Sequence, residues 1–544
     1  MKEKIKKNSF IQGTMIATIS MILIKIIGAV YVIPFYQIIG GEKGGALYGY
    51  AYNIYGLFLN IATAGIPVAM SMIISEYLTL QMYDAKEKSK KIATKMVGIL
   101  AIVSFIIVFF GAPLLAKFLI SDVEGGYGIQ DVATVIRAVS FCLLIIPFLS
   151  VMRGYFQGHK FITPSSVSQV LEQIVRIAVV LAGSYVVINI MHLGTVEGVS
   201  VALIGAFVGG LIAYLYLYAK MKKNKDAFPT AEKKDNVATK EIIKKILSYS
   251  LPIIIVAIID NIYTLVDIRF IVKGLSMVGF SGEDAKTISG IIATGAPKIC
   301  TIIIAISSAL TTNIIPHITS SYVKEDMEGV KNRVNQAMSA MLIISVPLTV
   351  ILFFLSKEAY TIFYGASEYG DLILKASAMS HLIFGVWSVL NSALQSMKKF
   401  KVIYFNSCLG LAINAILDIP LILLFSKMEI PAYIATVVST FIGYLVSNII
   451  VLIYLKKKMQ FDYQRTVSLL TKLLLPSVVI AGFLFVSKQL ITFEYTRLNS
   501  IISGILNGGI ASVLYLIIVY YNKGLEDALG KDFIGGIMRK IKRQ

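Results

Sequence analysis

Ten ionisable side chains lie in or near the ends of long apolar stretches, where a charge has no ordinary place. They are Lys25, Arg137, Arg176, Arg269 and Lys298, then Asp260, Asp267 and Asp418, with Glu76 and Glu172 close to stretch ends. Burying one in hydrocarbon costs at least ~3 kcal/mol on insertion scales, so each needs a partner or a task. Lys25 sits in Ile24-Lys25-Ile26-Ile27-Gly28, about fifteen residues into the first stretch and therefore ~22 Å along a helix. A lysine can snorkel to a headgroup, but that depth favours a water-filled cavity. Glu172 and Arg176 are spaced i, i+4 and are expected to satisfy each other. Asp267 and Arg269 are two apart, so they point to different faces and do not pair directly. Lys298 follows Pro297 in an apolar helix, which predicts an irregular cavity wall.

Asn414 and Asp418 form a second constellation, i, i+4 on one helix face. A hard cation such as Na⁺ takes several oxygens, carboxylate and amide among them. Asp267 and Thr436 could complete such a shell. Ordinary hydrogen bonding between neighbouring helices explains the same residues, and both readings stay open on the sequence alone. Cys142, Cys300 and Cys408 lie far apart in apolar runs and form neither a disulfide framework nor a metal site. The histidines His159, His192, His317 and His381 share no ligand spacing.

The elements that must position these groups are membrane helices. Of 544 residues, 56% are hydrophobic and 15% charged, whereas a soluble domain is about a quarter charged. Apolar runs long enough to cross a bilayer fall at about 11–37, 46–78, 92–119, 132–157, 164–190, 197–219, 248–272, 286–317, 334–356, 371–396, 402–426, 431–455, 466–487 and 498–521. The expected fold is therefore all-α and polytopic, with fourteen transmembrane helices. Gly28 with Pro34, Gly65 with Pro67, Pro252, Pro297, Pro316 and Pro420 interrupt them. Long strand-like alternation is absent from the sequence, which excludes a barrel. The net charge of +20 suits basic loops facing anionic lipid, not nucleic acid. With the N-terminus inside, Lys and Arg favour the cytoplasmic side roughly four to one, which puts both termini in the cytoplasm.

A lysine-rich loop at 220–247 separates residues 1–219 from 248–456. Each side holds six spans, and faint repetition links them. Gly65-Ile66-Pro67 with Ser71 is echoed by Ile315-Pro316 with Ser320, and the turn 156–161 by 394–400. Six spans per half makes a parallel repeat, whose substrate sites lie between the halves near the midplane. Residues 457–521 add two helices outside the repeat, and 522–544 form a basic tail.

The sequence resembles the multidrug/oligosaccharidyl-lipid/polysaccharide exporter superfamily, and within it the MurJ-type lipid II flippases of Gram-positive bacteria. The residues that carry this are Lys25-Ile26-Ile27-Gly28-Ala29-Val30-Tyr31-Val32-Ile33-Pro34-Phe35-Tyr36, Ile39-Gly40-Gly41 and Ala62-Thr63-Ala64-Gly65-Ile66-Pro67-Val68-Ala69. Arg153-Gly154-Tyr155-Phe156-Gln157-Gly158, Thr163-Pro164 and Gln169-Val170-Leu171-Glu172-Gln173 add the strongest signature. Thr163 as N-cap and Pro164 at N1 are expected to start the fifth helix. The likeness spans nearly the whole chain.

The resemblance implies two six-helix lobes around a cationic cavity and transport by alternating access, without covalent chemistry. Lys25 falls where the family has a first-span arginine, and Lys298 is the eighth-span counterpart. The charge that relatives carry near Tyr31 and Val32 is missing, as is a mid-membrane arginine on the second span. Lys25, Arg269 and Lys298 would neutralise the pyrophosphate of the substrate. A sodium site among spans seven, eleven and twelve would use Asp267, Asn414, Asp418 and Thr436, with membrane potential as a further drive. Spans thirteen and fourteen would form a groove for the polyprenyl tail. The implied partners are lipid II or a related undecaprenyl-linked glycan and anionic lipids. The implied setting is the plasma membrane, as a monomer beside the cell-wall synthesis machinery. Rival readings are a flippase for teichoic or capsular units, a drug/cation antiporter and a membrane glycosyltransferase. The two extra spans argue against the antiporter. The last would need carboxylates beside a sizeable outer loop, whereas 121–131 and 273–286 read as solvated turns.

Overall fold

The computed structural model describes residues 5, 7–121, 123–229, 237–490 and 494–529. The centre of the lysine-rich loop and most of the basic tail fall outside the described residues. So do the side chains at 10, 11, 14, 18, 22 and 305–316, which include Pro316 of the repeat.

Among the described residues, fourteen helices are long and apolar enough to cross a membrane: α1 (Met15–Ile38), α2 (Glu42–Thr79), α3 (Tyr83–Ile120), α4 (Ile129–Gly158), α5 (Ile162–Ile190), α6 (Thr195–Lys223), α7 (Thr239–Met277), α8 (Gly282–Ile304), α9 (Met327–Phe354), α10 (Gly370–Ser396), α11 (Phe400–Lys427), α12 (Ala432–Met459), α13 (Gln464–Leu490) and α14 (Arg497–Tyr521). Each coincides with one apolar run of the sequence. Several helices run past the run into charged residues. The helical backbone of α3 begins at Tyr83, well ahead of its apolar run.

The expected interruptions have local causes. In α2 the helix Glu42–Thr63 ends and a second begins at Ile66, with Gly65 left-handed at φ 76° and Pro67 in the first turn. A Cβ on Gly65 would stand 3.0 Å from the Ser250 backbone, so glycine is needed both for its conformation and for this close approach. In α4 a 3₁₀ turn at Phe141–Leu144 precedes Pro147, which opens the second segment. The start of α5 corrects the expectation for Thr163. The helix begins at Ile162, and Phe161 at the cap position offers no side-chain bond. Asn8, remote in sequence, supplies the cap instead, its Oδ1 accepting from the Ile162 and Thr163 N–H groups at 2.9 and 3.1 Å.

The chain forms two compact units. The first comprises Met1–Ser276 with Phe280–Gly290, and the second Met277–Gly279 with Ile291–Gln544. The seventh span therefore belongs to the first unit. Small residues explain this: a Cβ on Gly56 would meet Asn261 Oδ1 at 2.9 Å, beside the Gly65–Ser250 approach. The start of α8 is held in the first unit too. Lys286, 5% exposed, donates to the carbonyls of Val123, Gly125 and Tyr127, and Tyr50 Oη donates to Lys286 O at 2.8 Å. The loop before α4 is thus clamped by a buried ammonium.

The first unit also grips the ends of the lysine-rich loop. Phe228 is buried among Tyr155, Phe156, His159 and Phe161, with its ring centroid 5.0 Å from that of His159. Lys86 donates to Pro229 O and Lys88 to Val237 O. In the second unit α13 and α14 are tied to α9 and the short helix Ser356–Tyr364. Tyr515 Oη donates to Ile343 O, Thr466 Oγ1 to Asn335 Oδ1, and Lys488 reaches both Phe354 O and Glu358. Their other faces expose Leu474, Leu475, Val478, Leu498 and Ile505, a surface suited to lipid.

Candidate functional site

The second unit contains a buried polar cluster where α11 meets α12. Asn414 and Asp418 share a face as their spacing predicts, and both are fully buried, as is Thr436. Asn414 Nδ2 donates to Ser439 Oγ at 3.1 Å and Thr440 Oγ1 at 3.0 Å, and lies 3.5 Å from Asp418 Oδ1. Ser439 Oγ donates to Asp418 Oδ1. The Ser439 and Thr440 hydroxyls also lie 2.8 and 2.9 Å from the Thr436 carbonyl. Thr436, Ser439 and Thr440 share a helix face one turn apart.

Asp418 Oδ2 and Thr436 Oγ1, buried oxygens of this cluster, have no hydrogen-bond partner among the described residues. Leaving a buried polar atom unmatched costs about 1–3 kcal/mol, more if charged. A carboxylate with one oxygen unmatched calls for a cation or a proton. The donor set is all oxygen, which suits a hard monovalent or divalent ion and not a transition metal. Among the described residues no group of three or more His, Cys, Asp or Glu gathers. The residues present fit a hard cation. Asp267, buried on α7, belongs to the first compact unit, and Asn414, Asp418 and Thr436 to the second. Ser439 and Thr440 were missed by sequence reasoning, although their spacing from Thr436 was a usable signal.

The three expected cations have different surroundings. Lys25 is exposed on α1, beside exposed Leu23 and Ile26. Arg269 caps the end of α3: its guanidinium donates to Lys117 O and Phe118 O at 3.2 and 3.0 Å and to Ser121 Oγ, with the Phe118 ring beneath it. Lys298 stands half-buried on α8, three residues after a π-helical turn at Ile291–Gly295, so the predicted irregularity is present. Asp260 on α7 keeps one buried oxygen, Oδ1, without a partner among the described residues.

The expected Glu172–Arg176 pair is not formed. Glu172 instead accepts from Arg153 on α4 at 2.7 Å, and Arg153 Nε donates to Ser168 Oγ at 2.9 Å. Arg176 donates to Tyr48 Oη at 3.0 Å and stacks over Tyr52, 5.3 Å from its centroid. The partner comes from another helix, and its guanidinium reaches Glu172 and the adjacent Ser168 hydroxyl at once. The signature segments at 153–158 and 169–173 are thereby joined by an ion pair.

The family profile described as "Polysaccharide biosynthesis protein" matches residues 10–278. The chain is 29% identical to the lipid II flippase MurJ of Bacillus subtilis, covering 98% of this chain and 99% of that protein. It is 25% identical to the stage V sporulation protein B of the same organism, over 74% of this chain and 76% of that one. Among solved structures, a lipid II flippase MurJ in an inward closed conformation superposes with TM-score 0.67 at 16% identity, covering 94% of this chain and 99% of that chain. An inward-facing multidrug transporter of the MATE family superposes with TM-score 0.62 at 13% identity, covering 79% and 94%. The fold is shared with both solved structures.

Proposed function

The chain belongs to the polysaccharide biosynthesis family of multi-pass membrane proteins, and from that premise we propose that it is a lipid II flippase. The observation that carries this reading is the end-to-end likeness to a protein named for that activity, combined with fourteen spans. The protein is a transporter, not an enzyme.

Lipid II carries a pyrophosphate and a sugar-peptide headgroup, neither of which crosses hydrocarbon unaided. Cations inside the spans neutralise the pyrophosphate, and Lys25 and Lys298 are the groups assigned to it. Arg269, bound to the end of α3, contributes its field more than a direct contact. Rocking of the halves carries the headgroup across while the prenyl chain stays in lipid along α13 and α14. Na⁺ fits the oxygens of Asp418, Asn414 and Thr436 and would supply positive charge against the Asp418 carboxylate. Membrane potential adds ~2.3 kcal/mol per charge per 100 mV. Both termini are assigned to the cytoplasm by the excess of Lys and Arg on that side, and the basic loops face anionic lipid. The protein acts as a monomer beside the cell-wall synthesis machinery.

The test is complementation of a bacterium depleted of its own lipid II flippase. Restored growth and cell shape support the reading. A protein that is inserted and abundant but does not restore growth, while rescuing export of teichoic or capsular units, refutes it.

A further inference from the structure

Arg176 stands at the midpoint of α5, a span of 29 residues, and three features fix it there. First, α6 approaches α5 at glycines: a Cβ on Gly209 would come 2.5 Å from Glu172 O and 3.2 Å from Arg176 N, and one on Gly205 would come 3.0 Å from Arg176 O. This is the small-xxx-small contact that lets membrane helices touch backbone to backbone. Second, the side chain leans on an aromatic ladder. Tyr31, Phe35, Tyr48, Tyr52 and Tyr55 follow one another at ring separations of 6.2, 5.1, 5.7 and 5.8 Å for the successive pairs Tyr31–Phe35, Phe35–Tyr48, Tyr48–Tyr52 and Tyr52–Tyr55. Third, α5 leaves α-helical geometry just beyond Arg176, with π-helical turns at Val179–Gly183 and Val186–Ile190. Such turns are frequent at functional sites.

The charge balance around this residue points to a ligand. Glu172, the acidic side chain one turn away, is engaged by Arg153, and Arg176 forms no ion pair among the described residues. It contacts a neutral phenol and an aromatic face. A guanidinium offers five N–H donors, and the hydrogen bond to Tyr48 uses one. The residue is half-buried, so part of it meets the surroundings.

Resting on the lipid-linked substrate reading above, we infer that Arg176, oriented by Tyr48 and Tyr52, is a pyrophosphate-binding group of the first unit at mid-membrane. The planar fork suits two phosphate oxygens at once, which a lysine's point charge does not reproduce. The phenols hold the cation without neutralising it. The second span lacks a mid-membrane arginine, and its tyrosines Tyr48 and Tyr52 hold one supplied by α5.

The experiment uses the full chain in nanodiscs, titrated with undecaprenyl pyrophosphate and, as competitor, inorganic pyrophosphate. Arg176→Gln is expected to weaken undecaprenyl pyrophosphate binding at least about ten-fold, and Arg176→Lys by roughly three- to ten-fold. Tyr48→Phe keeps the cation but removes the hydrogen bond that orients it, and is expected to weaken affinity by about three-fold, less than Arg176→Gln. Inorganic pyrophosphate should compete in the wild type. Undiminished binding by folded Arg176→Gln overturns the inference, as does a loss by Tyr48→Phe equal to that of Arg176→Gln, which marks a structural role. Absence of competition by inorganic pyrophosphate overturns the phosphate contact. If Arg176→Gln does not fold, Arg176→Lys decides: reduced affinity supports the inference and wild-type affinity overturns it. Failure of the wild type to complement a flippase-depleted strain refutes the flippase reading alone, because pyrophosphate binding is scored separately.

Discussion

Acidification from pH 7 to pH 5 is expected to release the loop end that Phe228 anchors, and His159 is the group responsible. The imidazole is 1% exposed, its Nδ1 lies 2.8 Å from Tyr155 O, and Nε2 is buried without a partner among the described residues. Burial pushes its pKa down from 6.5 to about 4, against the opposing hydrogen bond that Nδ1 donates to the Tyr155 carbonyl. Lys86, Glu87 and Lys7 are the charged groups that bear on it, and Lys90 lies over the neighbouring Tyr155 ring. A depressed folded value means that the neutral ring's stabilisation is complete above about 6.5 and is lost as pH falls through about 4. Between pH 7 and pH 5 the loss works out at about 2 kcal/mol, or roughly 30-fold in the opening equilibrium. Hydrogen exchange of residues 155–161 and 224–229, corrected for intrinsic rates, reads this directly. His159→Gln removes the titration and should flatten the response between these pH values. An equal pH response in His159→Gln, or none in the wild type, refutes the reasoning.

Asp418→Asn keeps the shape of the α11–α12 cluster and removes its charge. The wild type should gain about 1.4 kcal/mol of thermal stability at Na⁺ ten-fold above its Kd, with no gain in Asp418→Asn; a wild type indifferent to Na⁺ against choline excludes the ion. Arg153→Met strands Glu172 in a pair whose side chains are 14% and 15% exposed, and should cost about 3 kcal/mol, most of it recovered by adding Glu172→Gln. A double variant no more stable than Arg153→Met contradicts the pairing. Gly65→Ala should cost at least about 1–2 kcal/mol from the left-handed backbone alone, with more from the Ser250 contact, in a detergent unfolding titration; an unchanged midpoint contradicts the close approach.

Span number and position were legible because a bilayer fixes the length of an apolar run, and hydropathy reports that length directly. The Gly65 break was legible because glycine followed by Pro67 leaves few backbone alternatives. The α11 half of the polar cluster was readable too, since Asn414 and Asp418 lie on one helix and periodicity alone sets their common face. Pairings between helices were not. Glu172 had a good local candidate in Arg176 and a better one in Arg153, and only tertiary packing decides between them. Asn8 capping α5, Lys286 clamping the carbonyls of 123–127 and Arg269 capping α3 have the same character. Each joins residues more than a hundred positions apart, and nothing in local spacing encodes such contacts. The break between the compact units was equally hidden, because the lysine-rich loop marks a change in composition whereas the glycine contacts of α7 decide where it packs.

The most direct test is the accessibility of lipid II at the outer surface of cells whose only flippase is this protein. An outer-surface probe that cleaves or labels lipid II is applied before and after its expression is shut off. The account predicts that the externally accessible fraction is sustained while the protein is present and collapses on depletion, with lipid II accumulating inside. An accessible fraction unchanged by depletion contradicts it.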